Sequence, residues 1–348
     1  MTYLSVCSGI EAVSVAWESL GFKPIGFAEI ESFPCELLKQ KYPNVKNYGD
    51  ITQYENWNIG QFDILVGGTP CQSFSIAGKR GGTDDIRGQL MYSYLGIVGK
   101  HKPQWVIWEN VPGVLSSGKG LDFASFLAGL EECGYGWAYR VLDAQYFGVP
   151  QRRRRVFVIG HSDNRTDLAA KVLFERESVC RDITASKEQK QETSERVGES
   201  TESTYFRRGG NYKYRRDKKA STLRNSASPD CFDLILTSEK GGELPFCILG
   251  NTINRITSGA NGKGFLVGQA YTLTASDIHA VVTKNKVRRL TPLECERLQG
   301  FPDNYTQIEW KGKPKDQCPD SHRYKAIGNS MAVPVMHWIG ERIKRNKA

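Results

Sequence analysis

Apolar and polar positions along the chain alternate in a way that predicts strand, tight turn and helix in repeated order. Residues 3–6 form a short apolar run that breaks at Cys7-Ser8-Gly9. From Ile10 the period lengthens, so that Val13, Ala16, Trp17 and Leu20 share one helical face and Gly21 stops the helix. Residues 24–28 are a second β-like run ending at Glu29-Ile30, and residues 62–66 are a third, broken by Gly67-Gly68. Leu90, Met91, Tyr94, Leu95, Ile97 and Val98 then give a 3.6-residue stripe for a helix starting near Gly88. Residues 103–108 make a buried strand that stops at Glu109-Asn110-Val111-Pro112-Gly113. A helix over 121–130 buries Phe123, Phe126, Leu127 and Leu130, and residues 137–142 and 155–159 read as two more strands. Strands that alternate with helices predict an α/β fold with a doubly wound, Rossmann-like sheet.

That pattern fades after His161. Residues 162–230 are rich in Ser, Thr, Glu, Lys and Arg with little periodicity, and 182–203 reads as mobile or loosely folded. Short β-like runs at 246–249, 264–267 and 280–282 predict a smaller β-rich domain. Order returns at Thr291, a good N-cap followed by Pro292 and Glu294, for a helix that ends at Gln299 and Gly300. Residues 310–325 read as a polar loop. After Gly328-Asn329-Ser330, a helix carrying Val333, Val335, Met336, Trp338, Ile339 and Ile343 is apolar enough to require a core. The expected division is therefore residues 1–162 with 325–348 as one domain, and 163–324 as a second domain with its connecting segment.

Composition narrows the class. Among 348 residues, 39% are hydrophobic, and no run approaches the ~18 apolar residues of a membrane span. The opening residues lack the basic start and long apolar segment of a signal peptide. The nine cysteines show neither Cys-x-x-Cys pairs nor metal-ligand spacing, which predicts reduced thiols, a cytoplasmic setting and no metal. The formal net charge of +9 favours a polyanionic partner. It concentrates in four consecutive arginines, Arg152 to Arg155, and in residues 205–219, where Arg207, Arg208, Lys213, Arg215, Arg216, Lys218 and Lys219 interleave with Tyr205, Phe206, Tyr212 and Tyr214.

Candidate chemistry sits at the strand ends. Strand, small-residue turn, helix, strand and then an acid about 20 positions on is the order of a mononucleotide-binding half. One glycine stands where a dinucleotide fingerprint has three, so a nucleoside without a pyrophosphate fits better than nicotinamide or flavin. The stretch Gly67-Gly-Thr-Pro-Cys-Gln-Ser-Phe-Ser75 suits a Cys71 thiolate held out from a strand end.

Four separated signals, Pro70-Cys71-Gln72, Glu109-Asn110-Val111, Gln151-Arg-Arg-Arg-Arg155 and Gly328-Asn329-Ser330, occur in an order that resembles the DNA (cytosine-5) methyltransferases, from Tyr3 to about Arg345. The resemblance implies S-adenosylmethionine as cofactor, S-adenosylhomocysteine as product and a cytosine flipped out of duplex DNA as substrate. It makes Cys71 the nucleophile at C6 and Glu109 the carboxyl at N3. Arg153 and Arg155 become the arginines that hold the base and loop, and Asn110 orients the loop carrying Cys71. Ser8, Gly9, Glu29, Ile30, Asp50, Pro70, Leu90, Asn329 and Ser330 match cofactor-pocket positions. Gln72 and Ser75 fall where the loop closes on DNA, and residues 163–287 become the target recognition domain, with Arg207, Arg208, Arg215 and Arg216 as its DNA contacts. The implied setting is a monomer in a bacterium or phage, either paired in function with a restriction endonuclease or acting alone. The alternatives are an RNA cytosine methyltransferase and a non-catalytic DNA-binding relative. The family opens on Phe-x-Gly-x-Gly, whereas this chain has Cys7-Ser8-Gly9-Ile10-Glu11, without the aromatic and one glycine.

Overall fold

The computed structural model describes residues 1–69, 86–174, 205–209, 213–217, 246–248, 265–267, 269–273, 280–283 and 286–346. Its main sheet contains β1 (Thr2–Val6), β2 (Lys23–Ala28), β3 (Ile64–Gly67), β4 (Trp105–Asn110), β5 (Gly136–Asp143) and β6 (Arg154–His161), in the order β2-β1-β3-β4-β6-β5. β1 pairs in parallel with β2 and β3, and β3 with β4, while β6 runs antiparallel to both its neighbours. The order reverses between β1 and β3, the switch point at which open α/β sheets bind ligands.

Period-two alternation along the strands gives two cores. Tyr3, Ile64, Val66, Trp105, Ile107, Phe157 and Ile159 face one, and Leu4, Val6, Leu65, Val106, Trp108, Val156 and Val158 the other. The first is covered by α1 (Ala12–Trp17) and α2 (Ser32–Lys41), and the second by α3 (Ile86–His101) and α4 (Leu121–Glu132). Four later helices join the first core: α5 (Thr166–Leu173), α6 (Pro292–Gln299), α7 (Asp320–Asn329) and α8 (Val333–Arg345). Trp17 on α1 is fully buried, and its Nε1 donates to the Met336 carbonyl of α8 at 2.7 Å. Gly340 allows this approach, since a Cβ there would lie 2.4 Å from Trp17 Nε1.

The structure differs from the sequence pattern in three places. Residues read as aperiodic contain α5, whose Leu168, Ala169, Val172 and Leu173 are buried against the sheet. The polar loop expected over 310–325 gives way to α7 at Asp320, a helix whose buried face includes the charged Arg323. Packing of α5 and α6 also carries the first core past the expected boundaries at 162 and 325, because Leu290, Cys295 and Leu298 are buried in it. The capping box on α6 forms as predicted, with Thr291 and Glu294 bonded reciprocally and Gly300 at φ 80°.

The β-like runs of the middle region form β9 (Phe246–Ile248), β10 (Phe265–Val267) and β11 (Ala280–Thr283), which with β12 (Lys286–Arg289) make an antiparallel sheet in the order β10-β9-β11-β12. Before them, β7 (Tyr205–Gly209) and β8 (Lys213–Asp217) pair antiparallel, with Arg207 in register with Arg215. Residues 182–203 lie outside the described residues.

Candidate active site

The carboxyl ends of β1, β2, β3 and β4 lie side by side, with Val6 in register with Ala28 and Gly67, and Gly67 with Trp108. Ser8, Gly9, Glu29, Ile30, Glu109 and Asn110 stand at these ends. Beyond β1, the Ser8 amide donates to the Ala28 carbonyl at 3.2 Å, and the Ser8 hydroxyl donates to the Ser5 carbonyl at 2.9 Å. Gly9, at φ 54°, donates its amide to Glu29 Oε2 at 2.7 Å. Glu29 Oε1 accepts from the Ile30 and Glu31 amides at 2.8 and 2.7 Å. A carboxylate accepts about four hydrogen bonds, so capacity for a hydroxyl remains. Beside it Ile30 is 70% exposed.

Asp50 is exposed and caps a short 3-10 turn, Ile51–Asn56, by accepting from the Thr52 amide at 2.9 Å. Glu29 and Asp50 both act on Cys7, whose thiol is pushed up to about 12, first by burial and then by these two carboxylates. These causes keep Cys7 in its protonated thiol form near neutral pH. Leu90 packs half-buried against the second core, Asn329 ends α7 exposed, and Ser330 is buried just beyond it.

A residue absent from the sequence-based set joins the backbone segments that carry the two acids. Asn47 Oδ1 accepts from the Glu29 and Gly49 amides at 3.0 and 3.1 Å. Its Nδ2 donates to the Glu29 carbonyl at 3.0 Å. The signal lay in Asn47-Tyr48-Gly49-Asp50, since an asparagine bonded to the amide two residues on forms an Asx turn.

At the end of β4, Glu109 Oε1 meets Arg155 Nε at 3.1 Å, with both side chains largely shielded from solvent. Burial pushes the Glu109 carboxyl above its ordinary range, while Arg155 and Arg153 pull it back. The chain after β3 passes directly against Glu109: a Cβ on Gly68 would lie 2.8 Å from Glu109 Oε2 and from its carbonyl oxygen. Asn110 Nδ2 donates to the Thr69 carbonyl at 3.0 Å, and Trp108 Nε1 donates to Thr69 Oγ1 at 3.0 Å. Neighbouring side chains therefore fix the root of the Cys71 loop. Pro70, Cys71, Gln72 and Ser75 themselves lie outside the described residues, as do the side chains of Arg207, Arg208, Arg215 and Arg216.

The two candidate arginines part company. Arg155 pairs with Glu109, whereas Arg153 is buried with its guanidinium spent on backbone: Nη1 donates to Leu273 at 2.8 Å, and Nη2 to Gly328 at 3.1 Å and Ser330 at 2.6 Å. Burial pushes its pKa down to about 9, which still leaves it charged at neutral pH. Arg153 thus ties the start of β6 to the 269–273 segment and to the turn between α7 and α8. Arg152 and Arg154 alternate outward and are exposed. Arg153→Met is expected to lower unfolding stability by about 3 kcal/mol in urea titration, because three carbonyls lose a charged donor. A loss below about 1 kcal/mol would show that the clasp contributes little.

Among the described residues no helix is long and apolar enough to cross a membrane, and no cluster of three or more His, Cys, Asp or Glu could hold a metal ion. The acids beyond β2 and the carboxylate–guanidinium pair at the end of β4 thus stand along one edge of a doubly wound α/β sheet, where such sheets bind ligands. The chain belongs to the C-5 cytosine-specific DNA methylases, whose family model matches residues 1–345. It is 37% identical to a DNA N-6-adenine-methyltransferase of Escherichia phage P1 over 99% of this chain, which spans 61% of that relative's length. It is 29% identical to the type II methyltransferase M.HpaII of Haemophilus parainfluenzae, over 98% of this chain and 88% of the relative. The fold matches that of the S. pombe Dnmt2 methyltransferase with a TM-score of 0.60 at 17% identity, covering 100% of both chains.

Proposed function

We propose that this protein methylates C5 of cytosine in duplex DNA, using S-adenosylmethionine and releasing S-adenosylhomocysteine. The observation that carries the reading is the shielded Glu109–Arg155 pair lying against the root of the Cys71 loop. C5 of cytosine is a weak nucleophile. A Cys71 thiolate bonding to C6 would place carbanion character on C5, provided the ring can take up the displaced charge at N3. Glu109, raised by burial, is suited to give a proton or a strong hydrogen bond there, and Arg155 is suited to hold that carboxyl in position. After methylation, loss of the C5 proton lets the thiolate depart and restores the ring.

The residues beyond β1 and β2 fit the cofactor. Glu29 has capacity for a ribose hydroxyl, Gly9 leaves open space where a Cβ would meet nothing within 4 Å, and Ile30 offers an exposed apolar face to an adenine ring. Ser8, Asp50, Leu90, Asn329 and Ser330 complete the proposed pocket. When bound, S-adenosylmethionine would supply an electrophilic methyl group. Asn47→Ala is expected to weaken its binding about tenfold by calorimetry, since both acidic segments lose a shared anchor. Unchanged affinity would remove Asn47 from the pocket's support.

The phage P1 relative's name favours a second reading, methylation of adenine N6. An exocyclic amine needs no thiolate addition to the ring, so Cys71, Glu109 and Arg155 would then have no task. Transfer of tritiated methyl groups to DNA, followed by digestion to nucleosides, decides between them. Label in 5-methylcytosine is expected, and label in N6-methyladenine would overturn the proposal. The type II relatives favour a role beside a restriction endonuclease, and the basic β7–β8 ribbon favours its assignment to the DNA-facing part of the middle region.

A further inference from the structure

The loop between β1 and α1 is built on an unusual residue. Glu11 adopts φ 59° and ψ 55°, a left-handed conformation that side chains rarely take. Its side chain turns inward and is fully buried. The carboxylate accepts from the Ser5 hydroxyl on β1, and from the amide (3.2 Å) and hydroxyl of Ser14 on α1. Ser14 Oγ in turn meets Tyr3 Oη at 2.7 Å. One side chain therefore joins the strand and the helix that flank the turn. The loop is also held from the far side, where Tyr305 Oη donates to the Ile10 carbonyl at 2.9 Å and lies 3.1 Å from Tyr42 Oη.

We propose that Glu11 is the positioning residue of this loop: its buried carboxylate, standing where a second glycine would otherwise relax the turn, fixes the backbone that presents Ser8 and Gly9 to Glu29. The identity of the ligand held there rests on the methyltransferase reading; the mechanical role does not. Burial raises the Glu11 carboxyl to about 7, with Ser14 and Ser5 pulling it down and Glu29 pushing it up. A group under that opposition is an expensive choice for a filler. A glycine would adopt the same φ without strain, but would leave the hydroxyls of Ser5 and Ser14 and the Ser14 amide without their shared acceptor.

The test uses the full chain with Glu11→Gly, Glu11→Ala and Glu11→Gln. Backbone hydrogen exchange over residues 8–14 of the ligand-free protein is expected to quicken at least tenfold in the glycine and alanine variants, with α8 unchanged. Their Kd for S-adenosylmethionine should rise about tenfold, while kcat at saturating cofactor stays within about threefold of the parent. Glutamine, which can still accept from Ser14, should return both readouts to within about threefold. The proposal is overturned if Glu11→Gly exchanges and binds like the parent, or if all three variants lose kcat, affinity and α8 protection in parallel. Should the parent chain itself bind no S-adenosylmethionine, the methyltransferase reading fails, and the exchange data alone still decide the role of Glu11.

Discussion

Cys71→Ser is expected to lower methyl transfer on the order of 10⁴-fold or more while duplex DNA binding persists. A serine hydroxyl stays protonated near neutral pH and cannot add to C6, so C5 never gains the electron density to accept a methyl group. Tritiated-methyl transfer and gel-shift titration on the same preparation separate the two effects. Turnover near the parental rate would rule out Cys71 as the nucleophile.

The second large effect belongs to Glu109 and Arg155. Glu109→Gln should reduce single-turnover methyl transfer by about 10²–10³-fold, the range of a lost general acid, with cofactor affinity within about threefold. Equal losses in both would argue against a role at N3. Arg155→Ala has a signed consequence. Burial raises Glu109 and Arg155 lowers it, so removing the arginine leaves the carboxyl with burial less opposed. The limb of the pH–rate profile that reports Glu109 should therefore move to higher pH. A shift to lower pH would mean that the 3.1 Å contact does not govern the proton on Glu109.

Much of the main domain was legible because its strands obey a simple rule. Apolar runs of four to eight residues end at Ser8, Glu29, Gly68 and Glu109, and side-by-side strands bring those ends together. The capping box at Thr291 was equally plain, being a local signal that needs no knowledge of packing. Helix α7 was hidden because part of its buried face is charged: Arg323 pairs with Glu296 at 3.2 Å, and residue type alone reads such a stretch as surface. Arg152 and Arg154 are exposed, whereas Arg153 and Arg155 turn inward, and sequence could not separate the tasks of those two. Their tasks depend on what lies opposite, backbone carbonyls some 120 to 177 residues away for one and Glu109 for the other. Asn47 was missed for the same reason, since its value lies in contacts to Glu29, 18 residues earlier.

The docking of Trp17 on α8 orders events in time. The indole bonds to a carbonyl 319 residues later, so this contact can form only after α8 has been synthesised. Closure over so long a stretch of chain is slow. Until then the rings of Tyr3 and Phe22, 5.0 and 5.2 Å from the indole, are its nearby aromatic shelter.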